Sequence, residues 1–206
     1  MMINEVKRAF SENKLAIIAS IAILFISLIL GYVLQPNLDS YLNPVVDDLT
    51  QKVETGVIQL TFQDIFFNNF KIICQMFIYG IIFCFSAIIL AFNGFFVGYY
   101  VAISDDLFYT LLLIIPHGIF EFSSCILACA GGFVLFNFLY GFLKTFWQYE
   151  DDSASKSFKV SFYENSDKLK QALIIFAVAA ILMVIAGIVE VYLTIPIANY
   201  ILSIVG

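Results

Sequence analysis

Charge is what this sequence has least of. Only 13% of its 206 residues are charged and 62% are hydrophobic, with a net charge of −6. Soluble domains carry about a quarter charged residues and about half apolar ones, so this shortage excludes an ordinary water-soluble globule. The acidic balance excludes nucleic acid as a partner, because that would call for a basic patch. Histidine occurs once, as His117. A phosphate-binding glycine loop, a nucleophile elbow and a zincin motif are all missing. No polar stretch is long enough to form an ATPase domain. The expectation is a protein without catalysis and without a cofactor. The four cysteines, Cys74, Cys84, Cys125 and Cys129, all lie in apolar runs. There they read as small packing residues. Cys125 and Cys129 share a helix face, but no other soft ligand lies nearby in sequence, so no metal is assigned to them.

What is abundant is apolar sequence in long runs. A spanning helix needs roughly twenty apolar residues. Residues 15–33, 72–92, 119–143 and 172–195 meet that standard. A fifth run, 94–115, is interrupted by Ser104-Asp105-Asp106, which reads as a helix restart with an N-cap and acids in the first turn. The first run is too long for a signal-peptide core and lacks a cleavage site, so it reads as an uncleaved span. The fold class expected is therefore all-α: a single polytopic transmembrane bundle over 1–206, with about five spans, one of them broken or short. Loop 34–71 is expected to carry a short amphipathic helix after Asn43-Pro44, with Val45, Val46, Leu49 and Val53 on one face. Thr61-x-x-Asp64 reads as a capping box opening the second long helix. Asn93-Gly94 reads as a turn between spans. Trp147 and Tyr149 read as interfacial anchors.

Lysine and arginine set the orientation. Lys7, Arg8 and Lys14 flank the first run, and Lys144, Lys156, Lys159, Lys168 and Lys170 fill the 144–170 loop. Loop 34–71 holds only Lys52 and Lys71. Positive residues favour the cytoplasm, which places the N-terminus and loop 144–170 inside, and loop 34–71 and the C-terminus outside. The localisation expected is the cell membrane. Three crossings between 71 and 144 then require 94–115 to traverse; a re-entrant hairpin there is the alternative.

That threading brings ionisable groups from separate helices to similar depth. Pro116-His117-Gly118-x-x-Glu121 opens the fourth span at the outer face, with His117 and Glu121 at i and i+4 on one side. Glu190 lies in the outer third of the last span, and Asn68, Asn69 and Lys71 stand where the second begins. An ionisable residue in a span is costly and is a functional candidate by default. Three readings stay open for this cluster: a structural lock between helices, a proton relay or transport site, and a divalent ion held by one imidazole and two carboxylates. Gly94-x-x-x-Gly98, Ala128-x-x-x-Gly132 (with Gly131 beside it) and Ala186-Gly187 offer small faces for close helix packing, within the chain or between two copies.

Taken in order, these residues carry a resemblance. Asn68-Asn69, Asn93-Gly94-x-x-x-Gly98, Pro116-His117-Gly118-x-x-Glu121, the run from Ala128 to Gly132, and Glu190 before Pro196 resemble the stage II sporulation protein M family, its archaeal branch most of all. The resemblance covers nearly the whole chain. It implies a multi-pass membrane scaffold that recruits other proteins and has no catalysis of its own. In spore-forming bacteria the family's namesake partners two cell-wall-degrading enzymes. Other membrane proteins are the partners it implies, beside the lipid bilayer expected from composition and a second copy of the chain that the small-residue faces allow; a small transporter or permease-like subunit is the other function implied.

Overall fold

A computed structural model describes residues 2–55, 61–82, 84–148 and 154–205. Among them are seven helices: α1 (Met2–Glu12), α2 (Lys14–Glu54), α3 (Phe62–Tyr79), α4 (Phe85–Ala102), α5 (Leu107–Gln148), α6 (Ala154–Tyr192) and α7 (Thr194–Val205). Four stretches are long and apolar enough to cross a membrane: Lys14–Asp48 within α2, and all of α4, α5 and α6. The all-α polytopic expectation therefore holds. With little water to satisfy backbone groups, helices that satisfy their own are the economical solution.

Helix α3 is 18 residues long but carries Asp64, Asn68, Asn69 and Lys71 within its first ten residues. It runs antiparallel to α4, as the contacts show. Asn68, Asn69 and Gln75 share a cavity with Phe92, Asn93 and Phe96, and nearer the turn the Ser86 hydroxyl donates to the Met76 carbonyl. α4 in turn lies alongside α2 in the same direction. Gly94 packs near Leu24 and Ser27, and the Tyr99 hydroxyl bonds Asp39 and Asn43 further along α2. α5 descends and α6 returns beside it. Ser124 donates to the Ala179 carbonyl at 2.7 Å, and the Asn165 amide donates to Thr145 at 3.3 Å near the α5–α6 turn.

Three helices thus lie between residues 61 and 148, the number expected, but their boundaries differ. The predicted span 72–92 is broken between α3 and α4. The predicted turn at Asn93-Gly94 lies instead inside α4. A small residue reads as a turn in sequence, whereas Gly94 serves here to let α4 approach Leu24 and Ser27 of α2. The interruption at 103–106 is present, but its cap is Asp106, whose carboxylate accepts from the Tyr109 amide at 2.9 Å. The Ser104 hydroxyl donates instead to the Asp106 carbonyl at 3.1 Å. Pro116 was expected to start a span and sits inside the continuous α5. A proline frees one carbonyl of the preceding turn, and membrane helices tolerate this. The separate amphipathic helix after Asn43-Pro44 is instead the continuation of α2, with Pro36 and Pro44 both within it. Side chains at Leu49 and Val53, and all of Tyr149, lie outside the described residues. Thr61 caps α3 as expected, accepting from the Asp64 amide.

The core is centred on α5. Cys125, Ala128, Cys129 and Ala130 are fully or almost fully buried with Ile175 and Ala179 of α6 and Met76 of α3. Cys125 and Cys129 are packing residues in this core. Below it, α5 and α6 continue as a paired stem joined by edge-to-face phenylalanine pairs, Phe138–Phe162 and Phe142–Phe158. Helix α1 docks on α6 at that end through Arg8–Asp167 and Lys168–Glu12 ion pairs.

Candidate functional site

The site lies where α5, α6 and the start of α7 meet. Within α5, His117 and Glu121 stand one helical turn apart and so share a face. Glu190 approaches that face from the last turns of α6. One ligand atom from each of the three lies within 4.8 Å of the others. The sequence reading set the three at similar depth in a bilayer; in the fold they stand side by side.

One local contact holds the imidazole. His117 Nδ1 lies 3.3 Å from the Thr194 hydroxyl, which itself donates to the Val189 carbonyl at 3.2 Å. A hydroxyl has one proton, so Thr194 accepts from the ring, and the hydrogen-bond pattern assigns the proton to Nδ1. The Nε2 lone pair is left free. Sequence reasoning missed Thr194. The signal was Pro196, whose missing amide ends α6 at Tyr192 and turns the chain so that Thr194 faces the ring.

The carboxylates are not satisfied in this way. Glu190 Oε2 is buried with no hydrogen-bond partner among the described residues. Glu121 faces two neighbouring cavities. One, of about 280 Å³, is shared with His117, Phe96 and Tyr100. The other, of about 530 Å³, is lined by Asn68, Asn69, Gln75 and Asn93 as well as apolar residues of α3 and α4. Four side-chain amides and one carboxylate in a single cavity make a surface able to replace part of a polar solute's hydration. Asn93 belongs to this cavity and not to a turn. Gln75 belongs to it too, one and a half turns along α3 from Asn69 and masked in the sequence by the apolar run around it.

Lys71 does not join the cluster; it is exposed on α3 and absent from the cavity wall. Gly94 and Gly98 face α2, and Gly131 and Gly132 lie further along α5 against Phe77 and Gly80. All four are packing residues.

The profile described as stage II sporulation protein M matches residues 17–195. The uncharacterised protein MJ0793 of Methanocaldococcus jannaschii is 30% identical over 203 residues, covering 92% of this chain and 99% of its own. A second uncharacterised protein of that organism, MJ0706, is 30% identical over 213 residues, covering 98% of this chain and 91% of its own. No solved structure matches it. Matched over almost all of its helical bundle, the chain belongs to the stage II sporulation protein M family.

Proposed function

We propose that this is a non-enzymatic multi-pass protein of the cell membrane with a permease-like role, admitting a small polar or charged solute to Glu121. The observation that carries this reading is the 530 Å³ cavity, in which the Asn68, Asn69, Gln75 and Asn93 amides surround the approach to that carboxylate. A purely structural lock would be expected to bury its polar atoms against one another, whereas Glu121 forms part of a cavity wall.

The orientation proposed has the N-terminus in the cytoplasm and the C-terminus outside. Arg8 pairs with Asp167 and Lys168 with Glu12, so the N-terminal and 144–170 basic groups, eight of the ten lysines and arginines, gather at one end of the bundle. That concentration supports a cytoplasmic end there. The amide cavity then approaches Glu121 from the outer half.

The test is solvent access. In a background with the native cysteines replaced by alanine, the Glu121→Cys variant in intact membranes should react with a charged, membrane-impermeant thiol reagent applied outside. An unreactive position 121 would remove the reading.

A second reading, the recruiting scaffold, rests on a different feature. The α5–α6 stem presents Trp147 and Tyr163, each 82% exposed, as large aromatic groups suited to a partner or to the bilayer surface. Deleting those two rings should release a co-purifying membrane partner if that reading holds, and leave the Glu121 accessibility unchanged.

A further inference from the structure

We propose that His117, Glu121 and Glu190 bind one divalent transition-metal ion, of the zinc or manganese class. The proposal deepens the permease-like reading, on which it rests for the ion's route through the amide cavity.

Three independent features converge. The first is geometry. Ligand atoms of the three side chains already lie within 4.8 Å of one another. An ion bonded at about 2.0–2.2 Å sets neighbouring ligands roughly 3–3.5 Å apart, so small side-chain rotations complete the set. One imidazole with two carboxylates suits divalent first-row ions better than soft monovalent ones.

The second is charge. Two carboxylates adjacent to each other in a low-dielectric bundle repel. No lysine or arginine forms an ion pair with either among the described residues, and Glu190 Oε2 is buried without a hydrogen-bond donor. Buried polar atoms are seldom left so. A divalent cation between them supplies both the missing charge and the missing partner.

The third is the orientation of the imidazole. Thr194 donates its only proton to the Val189 carbonyl and so accepts from His117 Nδ1. The ring therefore offers Nε2 as a free donor of electrons. A ligating histidine whose other nitrogen is held by a backbone-anchored acceptor is the usual outer-shell arrangement of metal sites. Thr194 is a positioning residue in this scheme, since it touches the ring and not the ion.

Uptake of Co²⁺ or Zn²⁺ by full-length protein in detergent, after stripping with a chelator, tests the proposal. Metal per chain is read by mass spectrometry, and cobalt coordination by its visible d–d bands. The expected result is about one ion per chain, with affinity falling at least about tenfold in His117→Ala and Glu190→Gln, and by about 10–100-fold in Thr194→Val. Because Thr194→Val leaves all three ligands in place, retained helicity with weakened uptake separates positioning from misfolding. Wild-type protein that takes up no stoichiometric metal, or uptake unchanged in both His117→Ala and Glu190→Gln, overturns the site; the first of these outcomes leaves a shared proton between the carboxylates. Stoichiometric binding with a solvent-inaccessible position 121 would uphold the site and sink the permease-like reading instead.

Discussion

Gly98 of α4 lies so close to the Leu28 carbonyl of α2 that a Cβ at position 98 would overlap the oxygen. The contact is reciprocated, because a Cβ at Gly31 of α2 would overlap the Phe95 carbonyl of α4. Gly94 faces the Leu24 backbone and Ser27 on the same seam. Without a hydrophobic drive between helices in lipid, backbone proximity of this kind is what holds them. The Gly94-x-x-x-Gly98 face is therefore spent within the chain and not on a second copy.

Gly98→Val should accordingly separate α2 from α4, at a cost of about 1–3 kcal/mol or more. Thermal unfolding in detergent measures it, with Ile88→Val, on the exposed side of the same helix, as a control expected to shift little. Equal midpoints for the two variants would refute the seam.

A second prediction concerns the docking of α1. The Gln171 side chain is buried and serves four neighbours. Its carbonyl accepts from Asn13 at 2.7 Å and from Lys168 at 3.2 Å, and its amide donates to Glu12 at 2.7 Å and Asp167 at 2.9 Å. Gln171→Leu would leave the buried Asn13 amide one acceptor short, a loss of about 1–3 kcal/mol. The check is local: amide exchange of α1 should accelerate while that of α5 stays protected. An unchanged α1 would show that the Arg8–Asp167 and Lys168–Glu12 ion pairs hold the helix without Gln171.

The same network makes that docking sensitive to acid. The hydrogen bond from Gln171 is the main reason the Glu12 carboxyl sits below its ordinary value, with Lys168 and Arg8 adding to it against partial desolvation. A carboxylate whose folded value is depressed contributes stability above its unfolded value, and that contribution is lost as pH falls through the folded one. The window therefore lies below about pH 4.3. A spin label attached through an Ile3→Cys variant should gain mobility as pH falls through this range. Adding Glu12→Gln should remove the step; a step that persists would assign it to another group.

Which parts of this fold can be read from sequence follows from where the signals lie. The Thr61–Asp64 cap is legible because it uses polar side chains bonding their own backbone, and the 103–106 interruption is legible because acids are costly in an apolar run. The α3–α4 turn is not. Its residues from Gly80 to Cys84 are apolar apart from glycine. The Met76 carbonyl near that turn is satisfied by Ser86 across the hairpin, and Gly80 is pressed onto Gly132 of α5. Tertiary contact made this turn, so no local signature announces it. The His117, Glu121 and Glu190 cluster was legible because helix periodicity and alternate threading fix depth. Thr194 was legible only indirectly, through Pro196 and the end it puts to α6, because a lone threonine in an apolar run carries no signal of its own.

That concealed turn supplies the last prediction. Cys84 precedes α4 with φ 71° and ψ −11°, a left-handed conformation unusual for any residue but glycine. The backbone strain of an L side chain there is about 1–2 kcal/mol. Cys84 is exposed and forms no disulfide, so its side chain gives little in return, and Cys84→Gly would relieve the strain while adding some unfolded-state entropy. The net expectation is a modest rise in thermal midpoint, corresponding to up to about 1 kcal/mol. Cys84→Val, with a β-branched side chain in the same conformation, should lower the midpoint. If valine were tolerated as well as glycine, Cys84 would not hold a left-handed conformation, and the antiparallel pairing of α3 with α4 would need a different hinge.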